Sequence, residues 1–403
     1  MARGVASKGE VVRIIGKGHP VQARGWVLAA VFAVLVSSGA GASGAPTLPA
    51  GARLLAGGGS LPSTAPSDAR SHATAPTGAG RTTEGAAAGA TTFAPSARKP
   101  QDDSSLGPPL TQTSCSDLHS TVSVFHPGGV PLKDWLEQLA FDGHGGMWVS
   151  PINQNFVERF DAKGTLTKTV PVPGPGGLIL GPDGLIYVNI SSGPSAPGVM
   201  RFDPTQINPV PQLFVAGLPG VNGDAFDNAG NLYVSTEDQP PSVLRIRPDG
   251  TRDAPWEQAA GFYGANGLAV DGHNLFASIT FDQRSPIEIV PIADPAAHRV
   301  FADLSLGVLS RQPAVNPPDP RAPLVPKGLD DMTLGPDGQL YVVGFSSGEL
   351  LRVDPRTAKA CVVVSGLETP TAVQFAVGFG VFDSADLFIT EASGRIVHVH
   401  LDD

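Results

Sequence analysis

This chain is poor in the residues that most catalytic and cofactor-binding scaffolds rely on. Of 403 residues only 2 are cysteine, 4 methionine, 4 tryptophan and 4 tyrosine, and aromatics amount to 6%. Two cysteines exclude a zinc site made of cysteines and a disulfide-dense scaffold, and they leave room for one disulfide. No basic patch interleaves with aromatic residues, which argues against nucleic acid as a partner. The formal net charge is −10, and because the first 42 residues are basic the remainder is more acidic still. Such a surface suits solubility and attracts cations, but by itself defines no site. A serine nucleophile on a strand-to-helix elbow is not expected either.

Apolar runs are short as well. The run Trp26–Val36 follows Arg3, Lys8, Arg13, Lys17 and Arg24 and leads into the small residues Ala40-Gly41-Ala42. A basic stretch, a short apolar core and a small-residue cleavage site form a secretory signal, and this run is well below the roughly 20 residues that cross a bilayer. Residues 1–42 are therefore expected to be a signal peptide and the protein to be secreted, with no membrane span after cleavage; an uncleaved anchor is the other reading. Residues 43–113 are Ala, Gly, Ser, Thr and Pro with almost no large apolar side chain, a composition that cannot offset its own ordering entropy. We expect a disordered linker there and a folded domain over 114–403.

What that domain has in abundance is repetition. Six times a small apolar run, a Gly/Asp turn and an aliphatic–aromatic run recur. The aromatic positions Trp148, Tyr187, Tyr233, Phe276, Tyr341 and Phe388 are separated by 39, 46, 43, 65 and 47 residues. Asp-Gly and Asn-Gly turns accept positive φ and join antiparallel strands. A period in the forties with short strands is the signature of a β-propeller. The expectation is all-β: a six-bladed β-propeller with four antiparallel strands per blade. The sixth repeat lacks its outer strand when the chain ends, and an open sheet edge is a liability. The alternating segment Thr121–His126 is expected to supply that strand and close the ring. Closure places Cys115 beside Cys361, which begins the outer strand of blade 5. In an exported protein two neighbouring cysteines pair; free buried thiols are the alternative.

In a propeller the residue preceding each innermost strand points toward the central channel at one mouth. In order these are Glu137, Gly176, Asn222, Asn266, Asp330 and Pro370. Two carboxylates and two amides are hard oxygen donors suited to Ca²⁺ or Mg²⁺. Gln138 and Asp331 flank the set. Asn and Asp before glycine are also ordinary turn residues, but Glu137 is not, and Asp330-Asp331 places two carboxylates where one turn residue suffices. Loops opening on the same mouth carry Asn153, Glu237 and Arg284 as candidate substrate contacts, and the long Pro-rich insertion 304–327 leads into Asp330. His144 and His273 fall in turns at the opposite mouth, and His398 and His400 read as packing or edge residues.

The segments Glu137–Asp142, Ala265–Asp271 and Leu329–Val342 resemble the senescence-marker-protein/gluconolactonase (regucalcin-like) family and are similar to the paraoxonases of the same superfamily. That resemblance spans 121–403. It implies a divalent cation, usually calcium, at the channel mouth, held by a blade-1 Glu, a blade-4 Asn and a blade-5 Asp, with a blade-3 Asn binding metal or substrate. By motif position these are Glu137, Asn266, Asp330 and Asn222, and the blade-5 Asp is also the general base proposed for gluconolactonase-like members. The usual glycines after the blade-1 Glu and blade-5 Asp are here Gln138 and Asp331, and the family's substrate-contacting Arg has no clear equivalent. The expected activity is opening of a small-molecule lactone or ester by a monomeric, calcium-dependent hydrolase, with Asp330 or Asp331 taking the proton from water. A non-enzymatic secreted propeller that binds protein or glycan around a structural cation is the rival class. An oxidoreductase or lyase on the same scaffold is a third, because fold does not fix function.

Overall fold

A computed structural model of the protein describes residues 114–236, 242–282, 284–305 and 327–402. They form six antiparallel sheets, and the expected six-bladed β-propeller is what is seen. Blade 1 is β2 (Leu136–Phe141), β3 (Gly146–Pro151), β4 (Phe156–Asp161) and β5 (Leu166–Pro171). Blade 2 is β6 (Pro175–Leu180), β7 (Ile186–Ile190), β8 (Gly198–Phe202) and β9 (Gln212–Ala216). Blade 3 is β10 (Asp224–Phe226), β11 (Leu232–Ser235) and β12 (Val243–Ile246). Blade 4 is β13 (Ala265–Val270), β14 (Asn274–Ile279), β15 (Pro286–Pro291) and β16 (Arg299–Asp303). Blade 5 is β17 (Leu329–Leu334), β18 (Leu340–Gly344), β19 (Glu349–Val353) and β20 (Ala360–Ser365). Blade 6 is β21 (Pro370–Phe375), β22 (Asp386–Glu391) and β23 (Arg395–Asp402), completed by β1 (His119–Pro127).

β1 pairs with β23 from His119 opposite Asp402 to Pro127 opposite Arg395. Both chain ends of the propeller thus sit in one blade, as expected. Phe125 on β1 packs against Phe379, Phe382 and Phe388 at 5.8, 6.2 and 5.1 Å between ring centres. Phe125 is partly buried and so gains part of the about 1.5–3 kcal/mol of full burial, and the closure is fastened by apolar contact as well as by the ladder. Beside it, Cys115 and Cys361 form a disulfide with Cα atoms 4.9 Å apart, joining the segment ahead of β1 to blade 5.

The core is six interfaces rather than one. Each hydrophobic cluster draws on two neighbouring blades, as in Trp148, Val157 and Val170 of blade 1 with Leu178, Ile186 and Phe202 of blade 2. Middle strands are buried on both faces, so β3 and β22 are covered along their whole length, whereas β1 and β9 are largely exposed. That is why the second strand of each repeat reads as an unbroken apolar run and the fourth is hard to see in sequence.

In blade 3 the outer position is taken by a single bridge between Ile246 and Arg252 followed by a short helix, α1 (Ala254–Ala259). Proline in its first turn fits a helix start. Trp256 enters the interface with blade 4 and donates its indole N–H to the Ile292 carbonyl at 2.8 Å.

The third strands repeat an arginine followed by an apolar residue, Arg159-Phe160, Arg201-Phe202, Arg245-Ile246 and Arg352-Val353, and this refrain has a structural purpose. In blades 1, 2, 3 and 5 its arginine reaches back to the turn aspartate of the first hairpin, which also accepts a hydrogen bond from the aromatic of the second strand. Asp142 takes Trp148 Nε1 at 3.1 Å and Arg159 Nε at 2.7 Å. Asp337 takes Tyr341 Oη at 3.1 Å and Arg352 at 3.0 Å. Asp183 and Asp227 meet Tyr187 and Tyr233 at 2.9 and 3.0 Å, with Arg201 and Arg245 at 3.6 and 3.8 Å.

The expected signal peptide (1–42) and linker (43–113) lie outside the described residues. No helix among the described residues is long and apolar enough to cross a membrane.

Candidate functional site

Register shifts interrupt the pairing at the start of β2, β6, β13, β17 and β21. A bulge of this kind re-aims side chains and leaves a backbone group to be satisfied. The Ser that closes the second strand does this in blades 1 and 4, where Ser150 and Ser278 accept from the N–H of Gln138 and Gly267 at 3.1 and 2.8 Å, and in blade 3 Ser235 accepts from Gly223 N–H at 2.8 Å without a register shift.

On the blade 4–blade 5 side the expected residues meet. Asn266 donates its amide to Asp330 Oδ1 at 2.8 Å and to Thr280 Oγ1 at 2.9 Å. Thr280 in turn donates to the Leu329 carbonyl at 2.6 Å, and Ser278 to that of Asp330 at 2.6 Å. Asp330 and Asn266 are thereby fixed by groups on two blades.

On the blade 1 side Glu137 is buried, and burial lifts its carboxyl to about 7 against a weaker downward pull from the Trp135 indole. Its Oε2 has no hydrogen-bond partner. Asp331 is only 4% exposed and is lifted to about 7, chiefly by burial, with Glu137 adding to the rise. The side chain of Gln138 and the N–H groups of Met332 and Val373 oppose that rise. Asp331 Oδ2 is also unpartnered. Asp331 of blade 5 is thus reached by Val373 of blade 6 and by Gln138 of blade 1.

Asn222 is half-buried, and its carbonyl accepts from Asn189 Nδ2 at 2.5 Å. Of the three candidate substrate contacts, Asn153 is exposed and donates to the Leu132 carbonyl at 2.7 Å. Arg284 is ion-paired with Asp303 at 2.6 Å. Glu237 lies outside the described residues, as does most of the 304–327 insertion.

Several residues at the site were passed over in the sequence. Asp224 occupies the strand slot that holds Leu139, Leu178, Leu268, Met332 or Ala372 in the other blades. It is 5% exposed, neither carboxylate oxygen has a partner, and burial together with Asp331 pushes its pKa well up. Asn189 stands where Ser150, Ser235 and Ser278 stand elsewhere, and its Oδ1 is unpartnered. Trp135 and Phe345 stack at 5.4 Å from the loops preceding β2 and following β18. Gly344-Phe345-Ser346-Ser347-Gly348 spells Gly-x-Ser-x-Gly. It forms the turn between antiparallel β18 and β19, closed by Gly348 N–H to the Gly344 carbonyl at 2.8 Å, so it builds no strand-to-helix elbow. His398 and His400 both bond Asp386 Oδ1, at 2.7 and 2.8 Å, and serve the closing blade.

The residues present are compatible with a hard divalent cation. Buried carboxylate oxygens without partners at Glu137 and Asp331 are what such an ion neutralises, and all the donors nearby are carboxylates and amides. Among the described residues no three acidic, His or Cys side chains form a ligand cluster, so the amides of Asn222 and Asn266 have to complete the set.

No protein-family model matches the chain, and no curated protein does. Solved structures do. It is similar to a gluconolactonase from Xanthomonas campestris at 17% identity and TM-score 0.52, over 73% of this chain and 98% of that one. A protein assigned by family to the gluconolactonases aligns at 16% identity and TM-score 0.50, over 72% and 94%. A calcium-binding regucalcin from Agrobacterium tumefaciens aligns at 16% identity and TM-score 0.47, over 68% and 93%. At these identities the shared property is the fold alone, a six-bladed propeller.

Proposed function

We propose that the protein is an exported, cation-dependent hydrolase of the gluconolactonase type, in which water attacks the carbonyl carbon of a lactone or ester and the acyl C–O bond breaks to give the acid and the alcohol. The single observation that carries this reading is the meeting of Asn266 with Asp330 beside the unpartnered carboxylates of Glu137 and Asp331. Glu137, Asn222, Asn266 and Asp330 would hold the cation, most readily Ca²⁺. When bound, such an ion supplies Lewis-acid polarisation of the substrate carbonyl, worth several kcal/mol in the transition state.

The chain's own groups divide the remaining work. Asp330 is held by Asn266 and is oriented rather than free to turn. Asp331 keeps one oxygen unpartnered and is braced by Gln138, Met332 and Val373, which suits it to take the proton from the attacking water. Trp135 and Phe345 provide an apolar wall for the body of the substrate. Export is part of the proposal: a signal-like N-terminus and the Cys115–Cys361 disulfide both suit an oxidising compartment.

The test is a panel of lactones and aryl esters assayed with Ca²⁺, Mn²⁺, Zn²⁺ and chelator. Turnover that chelator abolishes and one of these ions restores is expected. A panel that stays inert while calorimetry detects ion binding would replace this reading with that of a binding module carrying a structural cation.

A further inference from the structure

Blade 6 departs from the clamp that blades 1, 2, 3 and 5 share. In those blades the third-strand residue opposite the second-strand aromatic is Arg159, Arg201, Arg245 or Arg352, and a guanidinium only donates hydrogen bonds. In blade 6 it is His398, opposite Phe388. Imidazole can take a proton near neutral pH. The partner on the fourth strand differs too. Arg159, Arg201 and Arg352 face Lys168, Gln212 and Cys361 there, whereas His398 faces Ser123 of the closing strand β1.

Three side chains then stand in line. His398 Nε2 lies 2.7 Å from Asp386 Oδ1, and His398 Nδ1 lies 3.2 Å from Ser123 Oγ. Asp386 is buried, and its Oδ2 accepts from the Asp383 N–H at 2.8 Å, so the carboxylate is held in place. His400 shares Asp386 Oδ1 at 2.8 Å. A carboxylate only accepts, so the proton of His398 sits on Nε2 and Nδ1 turns its lone pair to the serine hydroxyl. Phe382 and Phe388 pack on the imidazole at 4.9 and 5.0 Å between ring centres and hold its plane. Ser123 itself is exposed, so its oxygen is open to a reactant. A hydroxyl, a base within hydrogen-bond reach and a third group orienting that base are the geometry of an activated nucleophile. The two imidazole nitrogens are exchanged relative to the Ser-His-Asp arrangement of the serine proteases, and the proton path through the ring is the same.

We infer that Ser123 is an acylation site on the outer strand of blade 6, taking the acyl group of small activated esters. It uses none of the channel residues and no cation. His398 Nδ1 takes the proton of Ser123 Oγ as that oxygen attacks the ester carbonyl carbon. The acyl C–O bond then breaks, and the same nitrogen returns the proton to the leaving oxygen. The products are acyl-Ser123 and the free alcohol or phenol. Phe382, half-buried beside the imidazole, offers an apolar surface to an aryl leaving group.

The test uses 4-nitrophenyl acetate and the full-length chain in chelator. A burst of about one equivalent of nitrophenolate per chain is expected, the kinetic mark of an acyl-enzyme, with the acetyl group found on Ser123 by peptide mass mapping. Ser123→Ala abolishes the burst and, because the side chain is exposed, leaves the fold intact. His398→Gln slows the burst about 10²–10⁴-fold, the usual share of a general base. Should that variant not fold, native wild type beside wild type unfolded in urea answers the same question: Ser123 is labelled in the first and not in the second. Acetyl groups on lysines or on His398 with Ser123 untouched would overturn the site. So would labelling of Ser123 that runs as fast in urea or in folded His398→Gln. Lactone opening and its cation dependence are read separately, so either site can fail without the other.

Discussion

The disulfide offers the most quantitative check on how the ring is closed. Cys115 and Cys361 are separated by 246 residues, so the bond closes nearly the whole propeller into one loop. Loop entropy for a chain that long is about 5 kcal/mol at 25 °C, and measured values for native disulfides run about 2–4 kcal/mol. The folded state keeps other ties at this point: Cys115 N–H to the Val362 carbonyl at 3.0 Å, and Arg352 to Asp117 at 3.0 Å. Those contacts survive removal of the sulfurs and already tie this point down, so the middle of the measured range, about 3 kcal/mol, applies in place of the full loop entropy. For a domain of this size that is a fall in Tm of roughly 6–12 °C. The perturbation is the double variant Cys115→Ser/Cys361→Ser, compared with the oxidised wild type by calorimetry and urea titration. Equal midpoints, or two free thiols in the unreduced, denatured exported protein, would refute the reasoning.

Other expectations follow from the same geometry. Asp142→Ala should cost about 3 kcal/mol, since Asp142 is 1% exposed at its side chain and its loss strands Arg159 and Trp148; the equivalent Asp183→Ala, where the aspartate is 41% exposed, should cost under about 1 kcal/mol by urea titration. The closing blade should be pH-sensitive. Burial acts to raise the Asp386 pKa, but the Asp383 N–H and both imidazoles outweigh it and the net shift is downward; a hydrogen bond to Asp386 raises that of His400. The stability from a lowered carboxylate is present above its unfolded pKa of about 4 and lost as pH falls through the folded value; that from a raised imidazole is complete below about 6.5 and lost as pH rises through its folded value. His400→Gln should therefore flatten the decline of stability between about pH 6 and 8, and an unchanged profile would exclude this pairing as its source. In the hydrolase reading Asp331→Asn should lower kcat by about 10²–10⁴ with little change in KM, and a fall in KM-dependent terms alone would assign Asp331 to binding instead.

Sequence carried the architecture well because the repeat is a physical unit: a hairpin buried on both faces has to recur at each blade, and the aromatic at its second strand marks the interface. The closing strand was legible from the missing outer strand of blade 6, and the disulfide from where that closure puts Cys115. Position within the repeat was enough to bring Asn266 and Asp330 together across 64 residues. What was hidden depends on the third dimension. Arg159, for one, reaches across 17 positions to the turn at Asp142, a contact that no local pattern announces. The outer element of blade 3 became helical because Ala254–Ala259 favours a helix and Trp256 finds its cavity only against blade 4. Asp224 did leave a signal, an acidic residue in a slot that is apolar in every other blade, but its lack of partners is visible only once Gly177 and Asn189 stand next to it.

The most direct measurement is a calcium titration of chelator-treated protein by calorimetry, wild type beside Asp330→Ala. Binding of one ion by the wild type, accompanied by a higher Tm through mass action and lost in the variant, is the expected result. A wild-type protein that is folded by circular dichroism and takes up no divalent ion would contradict the cation-dependent hydrolase outright.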